Sequence, residues 1–520
     1  MSTWLHQIMQ HRNRLHPYMP LVSGISRICA DVAGGMTKLI LQVALLSVMT
    51  ACSTQKQSQI SDLENALPKV QFQPTSPERW VMSNGMVVLF LPDFDVPLVA
   101  GSLFFRGGAL FEPANMIGVA EATGAQMRSG GTKSFGPRDL DLHLDALAAA
   151  IESSFSSEYG SVGFSSLREN LDDVFPIFSD IVRQPRFDAN RLELWKSQAK
   201  AQIVRRKDDP QIIASMTFME LMYGKASPYS RWPTEASLSK LNVAALKSFH
   251  KQFVRPDQSI LAVSGAISRK ELEALLDKHF ATWPVPSSPS VPYPEVVANK
   301  NPGIYVVRKK FDQTSVMLGH LGPSRLYPEI FVGSVFNKIF GQGGFGSILN
   351  DRIRTAKGLA YSVYGGLFPS EKRGLFSIEM ATRNAAVPDA LGELYGIVDR
   401  VRSEAPTEEQ LRESIDAAKK GFVFKFETPA QSVERRAYIE LLGYPEDFDK
   451  QYVEKVDAVS DTDVLRCAQT WIHPDELVTV VVGDVSSQDL AKTFSGRADV
   501  YDVDFDMSPS EPRRVYGVDR

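Results

Sequence analysis

Apolar positions along this chain follow two patterns. Spacings of three to four residues predict amphipathic helices, and short continuous or alternating runs predict strands. One succession of the two occurs twice. In Phe253-Val-Arg-Pro-Asp-Gln-Ser-Ile-Leu-Ala-Val-Ser-Gly-Ala-Ile-Ser a helix ends before Pro256, an apolar strand follows, and Gly265 turns the chain toward another helix. Trp471-Ile-His-Pro-Asp-Glu-Leu-Val-Thr-Val-Val-Val-Gly-Asp-Val-Ser repeats it without gaps, 218 positions later. Pro256, Asp257, Val263, Gly265, Ser268 and Leu272 return as Pro474, Asp475, Val481, Gly483, Ser486 and Leu490. Two homologous halves of about 220 residues are the simplest account.

Between them lies Trp283-Pro-Val-Pro-Ser-Ser-Pro-Ser-Val-Pro-Tyr-Pro. Its prolines forbid continuous helix and lack the donors a sheet interior needs, so it reads as an extended linker. Asn84-Gly85, between the apolar stretches of Trp80 to Leu91, signals a two-residue hairpin. Thr407-Glu-Glu-Gln410 has capping-box spacing and opens a helix running toward Phe424. Each half is therefore expected to be α+β, an antiparallel-rich sheet packed with helices.

The 520 residues are 43% apolar and 23% charged, which suits an ordinary folded protein and excludes a disordered or collagenous chain. Lys and Arg total 57 against 61 Asp and Glu, so no nucleic-acid partner is expected. Three cysteines cannot build a disulfide framework. The segment Met36-Thr-Lys-Leu-Ile-Leu-Gln-Val-Ala-Leu-Leu-Ser-Val-Met-Thr-Ala-Cys52 has a basic start at Lys38 and an apolar run, Leu39 to Met49, too short to span a bilayer with about 20 residues. Its end, Met49-Thr-Ala-Cys52, resembles a bacterial lipoprotein signal in which the cysteine is lipidated, although Met49 stands where leucine is usual. The alternative is a cleaved secretory peptide with an incidental cysteine. Ser53, rather than aspartate, directs such a lipoprotein to the outer membrane, which implies a cell-envelope protein anchored on the periplasmic face. Residues 1–51 are read as a signal region with a true start at Met36, and their removal leaves a net charge of −7. Cys467 is then expected to be a buried small hydrophobe on a helix.

The order of features in the first half carries a resemblance. Ser83-Asn-Gly-Met-Val-Val-Leu, Pro97-Leu-Val, Arg106-Gly-Gly, Gly118-Val-Ala, Gly130-Gly-Thr, Ser227-Pro-Tyr and Phe249-His-Lys-Gln-Phe-Val-Arg-Pro-Asp are together similar to the insulinase or pitrilysin-type zinc peptidases, the inverzincins. The resemblance covers roughly residues 75 to 490 and includes the duplication. It implies a clam-like pair of halves. The expected layout is a tether at 52–74, an N-terminal peptidase-like domain at 75–282, a linker at 283–302, a C-terminal peptidase-like domain at 303–495 and a tail at 496–520.

That family's chemistry rests on His-x-x-Glu-His, two zinc-binding histidines one helical turn apart with a glutamate that activates water, and a later glutamate as third ligand. Here Glu121 stands at the first histidine, Gly124 at the general base, Ala125 at the second histidine, and Gln202 near the third ligand. All four groups are absent, so no metal is expected on this chain. None of its eight histidines forms a His-x-x-x-His pair. His143, in Asp139-Leu-Asp-Leu-His-Leu-Asp, is read as part of a solvated helix face rather than a metal ligand.

The second half keeps more of the family pattern. Gly341-Gln-Gly-Gly-Phe-Gly-Ser-Ile-Leu-Asn-Asp-Arg-Ile-Arg354-Thr-Ala-Lys-Gly-Leu-Ala-Tyr361 matches its glycine-rich turn, helix and Gly-Leu-Ala-Tyr strand. No Gly-Lys-Ser/Thr follows the glycines, so a close-packed turn is preferred to a phosphate cradle. In zinc-bearing members an arginine and a tyrosine at the spacing of Arg354 and Tyr361 reach substrate near the metal. A guanidinium can hold a peptide carbonyl, and a phenol can donate to the same centre. The alternative is that Arg354 lies on an exposed helix while Tyr361 packs in a sheet.

A missing metal site beside a retained Arg-Tyr pair resembles the non-catalytic subunit of the family's bacterial heterodimers. That implies a paralogous partner bearing His-x-x-Glu-His and the zinc, and a peptide substrate. The competing expectation is a structural or peptide-binding scaffold of the same fold. An independent hydrolase lacks a credible nucleophile, metal cluster or carboxylate pair.

Overall fold

The computed structural model describes residues 72, 74–297, 301–506 and 508–515. The signal region and Cys52 lie outside them. From Pro74 onward the chain forms one compact unit containing two sheets.

The first sheet holds β1 (Glu78–Val81), β2 (Val87–Pro92), β3 (Leu98–Arg106), β4 (Ala150–Phe155), β5 (Tyr159–Leu167) and β6 (Ser259–Gly265), in the order β1-β2-β6-β3-β5-β4. The second holds β7 (Gly303–Arg308), β8 (Gln313–Leu321), β9 (Ala360–Phe368), β10 (Leu375–Arg383), β11 (Val478–Gly483), β12 (Val500–Asp502) and β13 (Arg513–Val515), in the order β13-β12-β7-β11-β8-β10-β9. Five strands of each follow one scheme: β2-β6-β3-β5-β4 corresponds to β7-β11-β8-β10-β9. In each, the repeated strand, β6 or β11, runs parallel to one neighbour and antiparallel to the other. The repeat seen around Pro256 and Pro474 is thus a repeat of the fold. Both prolines open a short 3-10 turn that feeds the central strand.

Local chemistry explains most element ends. The β1–β2 connection is a hairpin, but its turn is longer than the two residues expected. The Gly85 amide donates to the Met82 carbonyl at 2.9 Å, and Gly85 follows as a left-handed bulge residue at φ 86°. Buried Asn84 is drawn inward, its Nδ2 donating to the Phe280 carbonyl at 2.9 Å. The capping box at Thr407 and Gln410 is formed and starts the Glu408–Val423 helix. Cys467 is buried on the Asp461–Trp471 helix, where burial pushes its thiol up to about 12. The stretch set apart as a tail beyond residue 495 joins the second sheet, because β12 pairs parallel with β7 and β13 closes the edge.

One face of each sheet carries its own helices. Leu103, Val162, Leu261 and Val263 belong to the first core, and Val316, Leu318, Phe376 and Val481 to the second. The opposite faces are covered reciprocally. The Pro210–Tyr223 helix of the first half packs Ile213, Met216 and Phe218 against Met317, Val478, Val480 and Val482 of the second sheet. The Pro429–Leu441 helix of the second half packs Val433 and Ala437 against Leu89, Ile260 and Ala262 of the first. Each opens with a side-chain cap, Asp209 or Thr428, followed by proline at the first helical position. Central β6 and β11, covered on both faces, are buried throughout, hence their continuous apolar runs.

Polar contacts also cross between the halves. Buried Arg325 pairs with Glu158 of the first half and, at 2.8 Å, with Glu371 of the second. The proline-rich linker is extended and pinned. Arg255 Nη1 donates to the Ser288 carbonyl at 2.8 Å, Arg106 Nη2 to the Val291 carbonyl at 2.9 Å, and the Tyr229 hydroxyl to the Pro294 carbonyl at 3.0 Å.

Candidate functional site

The helix that would carry the metal motif spans Val119–Ser129. It is held from below by Glu112, whose buried carboxylate accepts from the Gly118 amide at 2.9 Å and the Ala120 amide at 2.7 Å, satisfying two donors at the helix start. Burial raises the Glu112 carboxyl to about 7, against the lowering effect of those two amides.

Glu121 and Ala125 lie one turn apart, with Glu121 open to solvent. The surrounding protein raises the Glu121 carboxyl above its ordinary value, and the nearby Arg206 guanidinium opposes that shift. Arg206 is itself lowered by burial and raised by Glu121. Its Nη1 donates to the Pro233 carbonyl at 2.6 Å, and the guanidinium lies 5.5 Å from the Trp232 ring. Gln202 is exposed on the Ala189–Arg205 helix, one turn before Arg206. Arg206 is thus the opposite charge that acts on Glu121.

Gly124 faces β4. A Cβ there would lie 2.6 Å from the Phe155 nitrogen and 2.9 Å from the Ser154 Cα. Ser153 fastens the contact, its Oγ donating to the Gly124 carbonyl at 2.6 Å and accepting from the Arg128 amide at 3.1 Å. The position that the resemblance aligns with the general base is thus filled by the main chain of β4.

The zinc that the resemblance implies does not fit these residues. One carboxylate, a glycine, an alanine and an exposed glutamine supply neither a ligand set nor a base. Among the described residues no group of three His, Cys, Asp or Glu could hold a metal ion. His143 stacks on Phe135 with ring centroids 4.9 Å apart.

In the second half, Arg354 lies in a π-helical turn, Asn350–Ala356, and Tyr361 near the start of β9. The inner side of this segment is anchored. Leu349, Ile353 and Leu359 are buried, and Asn350 Nδ2 donates to Ser347 Oγ at 3.1 Å and to the Val363 carbonyl at 3.3 Å. Gly341 packs so tightly that a Cβ would lie 2.7 Å from the Gly365 carbonyl oxygen, as a close-packed turn requires. The outer side is free. The β9–β10 register shifts between Met380 and Thr382, so Tyr361 and Ser362 together face Ala381 as a bulge. That bulge turns Tyr361 outward, 84% exposed.

Arg354 lies against two aromatic rings. Its guanidinium carbon lies 4.6 Å from the Tyr361 ring centre and 4.5 Å from that of Phe345, which is 73% exposed. Cation–π attraction to both rings holds the guanidinium, and no hydrogen bond or ion pair among the described residues engages its N–H groups. The structure thus brings Arg354 and Tyr361 into one site and leaves Glu121, Gly124, Ala125 and Gln202 in another. No hydrogen bond, ion pair or ring contact among the described residues joins the two.

Sequence reasoning passed over Glu112, Arg206 and Phe345. Phe345 had a signal, a lone aromatic among glycines, and Arg206 follows Gln202 by one helical turn. Glu112 had none, because its role depends on donors six and eight residues away.

Residues 93–228 match the insulinase family (peptidase family M16), and residues 240–418 match the peptidase M16 inactive domain. The chain is 25% identical over 307 residues to an uncharacterised zinc protease of Mycobacterium leprae, covering 58% of this chain and 68% of that protein. It is 24% identical over 405 residues to the non-peptidase homolog YmxG of Helicobacter pylori, covering 76% and 91%. Among solved structures, a peptidase M16 inactive domain from Pseudomonas fluorescens superposes with a TM-score of 0.72 at 24% identity, covering 79% of this chain and 98% of that one. The periplasmic protease PqqL of Escherichia coli superposes with a TM-score of 0.69 at 14% identity, covering 80% and 47%. With both family matches and the two-sheet architecture in agreement, the chain belongs to the insulinase family of peptidases, family M16, as an inactive homologue.

Proposed function

We propose that this protein is the non-catalytic subunit of a cell-envelope metallopeptidase pair. Arg354 and Tyr361 contact peptide substrate held at the zinc of a paralogous subunit bearing His-x-x-Glu-His. The observation that carries this reading is the setting of Arg354: a guanidinium held against two exposed rings, with no ion pair among the described residues, on a segment whose inner side is anchored. Such a group is preorganised to donate to a carbonyl oxygen on which charge develops. The tight packing of Gly124 on β4 supports the reading that the water-activating step is not performed by this chain.

Cys52 anchors the subunit to the membrane in this reading, and no helix among the described residues is long and apolar enough to cross one. Stable anchoring needs more than one acyl chain, so the mature N-terminus should be a diacylated Cys52 in mass spectrometry. Affinity purification from the native membrane tests the partnership. Co-purification of a chain with His-x-x-Glu-His supports it, and recovery of this chain with no such partner favours the scaffold.

A further inference from the structure

Where β2 turns into β3, five consecutive residues, Phe94-Asp-Val-Pro-Leu98, are exposed. Three of them are apolar: Phe94 is 66% exposed, Val96 50% and Leu98 48%. The main chain that carries them is tied down on both sides. The Asp93 amide donates to the Gly265 carbonyl at 2.9 Å, the Ala266 amide to the Leu98 carbonyl at 2.8 Å, and the Arg168 amide to the Pro97 carbonyl at 2.9 Å. Within the turn, the Leu98 amide donates to the Val96 carbonyl at 2.8 Å, and the Asp95 amide to Asp93 Oδ1 at 3.1 Å. A turn fixed in this way holds its apolar side chains in water, and such a cluster marks a contact surface.

The strand register shows where this surface lies. Glu78, the first residue of β1, pairs with Phe90 near the end of β2, so the chain enters the sheet at the same end as the exposed turn. Ahead of Pro74 stand 21 residues, Ser53 to Gln73, which can extend no further than about 75 Å from Cys52. An acylated Cys52 therefore keeps a bilayer within reach of Phe94, Val96 and Leu98. At the high local concentration that a tether creates, a weak contact is enough.

The charges at this end narrow the kind of lipid. Arg168 is paired with Glu271 at 2.6 Å, and Arg269 with Glu78 at 2.7 Å and Glu273 at 2.9 Å. Lys270 and Asp95 are exposed and add one charge of each sign. No excess of positive charge is offered to anionic headgroups, which require one. We propose that Phe94, Val96 and Leu98 insert at the headgroup–acyl boundary of a zwitterionic bilayer, so that the anchored chain rests on the membrane by this end of its first sheet. The proposal rests on the reading of Cys52 as the anchor.

Fluorescence on vesicles tests it. The mature chain, with an N-terminal hexahistidine tag in place of Cys52, is held on phosphatidylcholine vesicles by nickel-chelating lipid, a tether that works whether or not Cys52 is acylated. An environment-sensitive fluorophore is attached at Val96→Cys or, as control, at Ser83→Cys in the turn at the other end of the β1–β2 hairpin; Cys467 is buried and stays unlabelled. On vesicles the label at 96 should shift to shorter wavelength and be quenched by nitroxide on the upper acyl chain, while the label at 83 does neither. Adding Phe94→Ser should lower the inserted fraction, by up to about tenfold, because it removes a large part of the apolar area buried. No shift at 96, equal shifts at both labels, or insertion that Phe94→Ser leaves unchanged would overturn the proposal. A shift that follows protein concentration without vesicles would assign the turn to a second copy of the chain and overturn it too. The mass of the native N-terminus tests the anchor separately, so the two readings can fail independently.

Discussion

Gly124 lies so close to the main chain of Phe155 that a Cβ on it would stand 2.6 Å from the Phe155 nitrogen. If position 124 corresponds to the family's glutamate, the packing of the Val119–Ser129 helix on β4 leaves that side chain no room. Restoring the motif letters alone should not restore the site. The triple variant Glu121→His, Gly124→Glu, Ala125→His should bind no stoichiometric zinc and lose about 1–3 kcal/mol of stability or more, the cost of overpacking. Elemental analysis and thermal unfolding check this. One zinc per chain in a variant as stable as the parent would show that β4 yields easily.

The reciprocal helices predict an unusual pattern of damage. Phe218 belongs to the first half but is buried in the core against the second sheet. Phe218→Ala should cost about 3–5 kcal/mol. Its amide-exchange signature should appear in β8 and β11 of the second sheet. Loss of protection confined to the first sheet would refute the exchange.

Stability should depend on pH through three buried groups. Burial pushes His250 and His320 down from 6.5 to about 4. His320 Nε2 accepts from the His473 amide at 2.9 Å, a bond that needs the neutral ring. Below pH 6.5 the unfolded chain takes up protons that the folded one refuses, so these residues withdraw stability as pH falls toward 4. Glu112 acts oppositely. Its carboxyl is raised from 4.5 to about 7, so the folded state keeps a proton that the unfolded chain releases, and stability is withdrawn as pH rises from 4.5 to 7. Glu112→Gln should therefore steepen the rise of unfolding free energy with pH in that window, by up to about 1.4 kcal/mol per pH unit. A slope identical to the parent's would mean that Glu112 titrates normally.

How far the sequence could lead follows from where the information lies. Pro256 and Pro474, the strands after them and the capping Ser268 and Ser486 are local signals, so the duplication and the α+β class were legible. The Pro210–Tyr223 helix is apolar on all sides, which announces burial but does not say against which sheet. Likewise, the seven-residue spacing put Arg354 on a helical turn and Tyr361 on a strand. The outward aim of Tyr361 depends on a bulge opposite Ala381, and the setting of Arg354 depends on Phe345 returning from the glycine-rich segment. Both are set by partners distant in sequence.

The central claim is that Arg354 and Tyr361 act on substrate at a partner's zinc, and turnover by the reconstituted pair tests it most directly. Removing one donor to a developing charge costs roughly 2.7–4 kcal/mol. With Arg354→Ala or Tyr361→Phe, peptide cleavage should fall about 100-fold to 1,000-fold while the complex still forms. Unchanged turnover in an intact complex would contradict the account and leave the scaffold reading in its place.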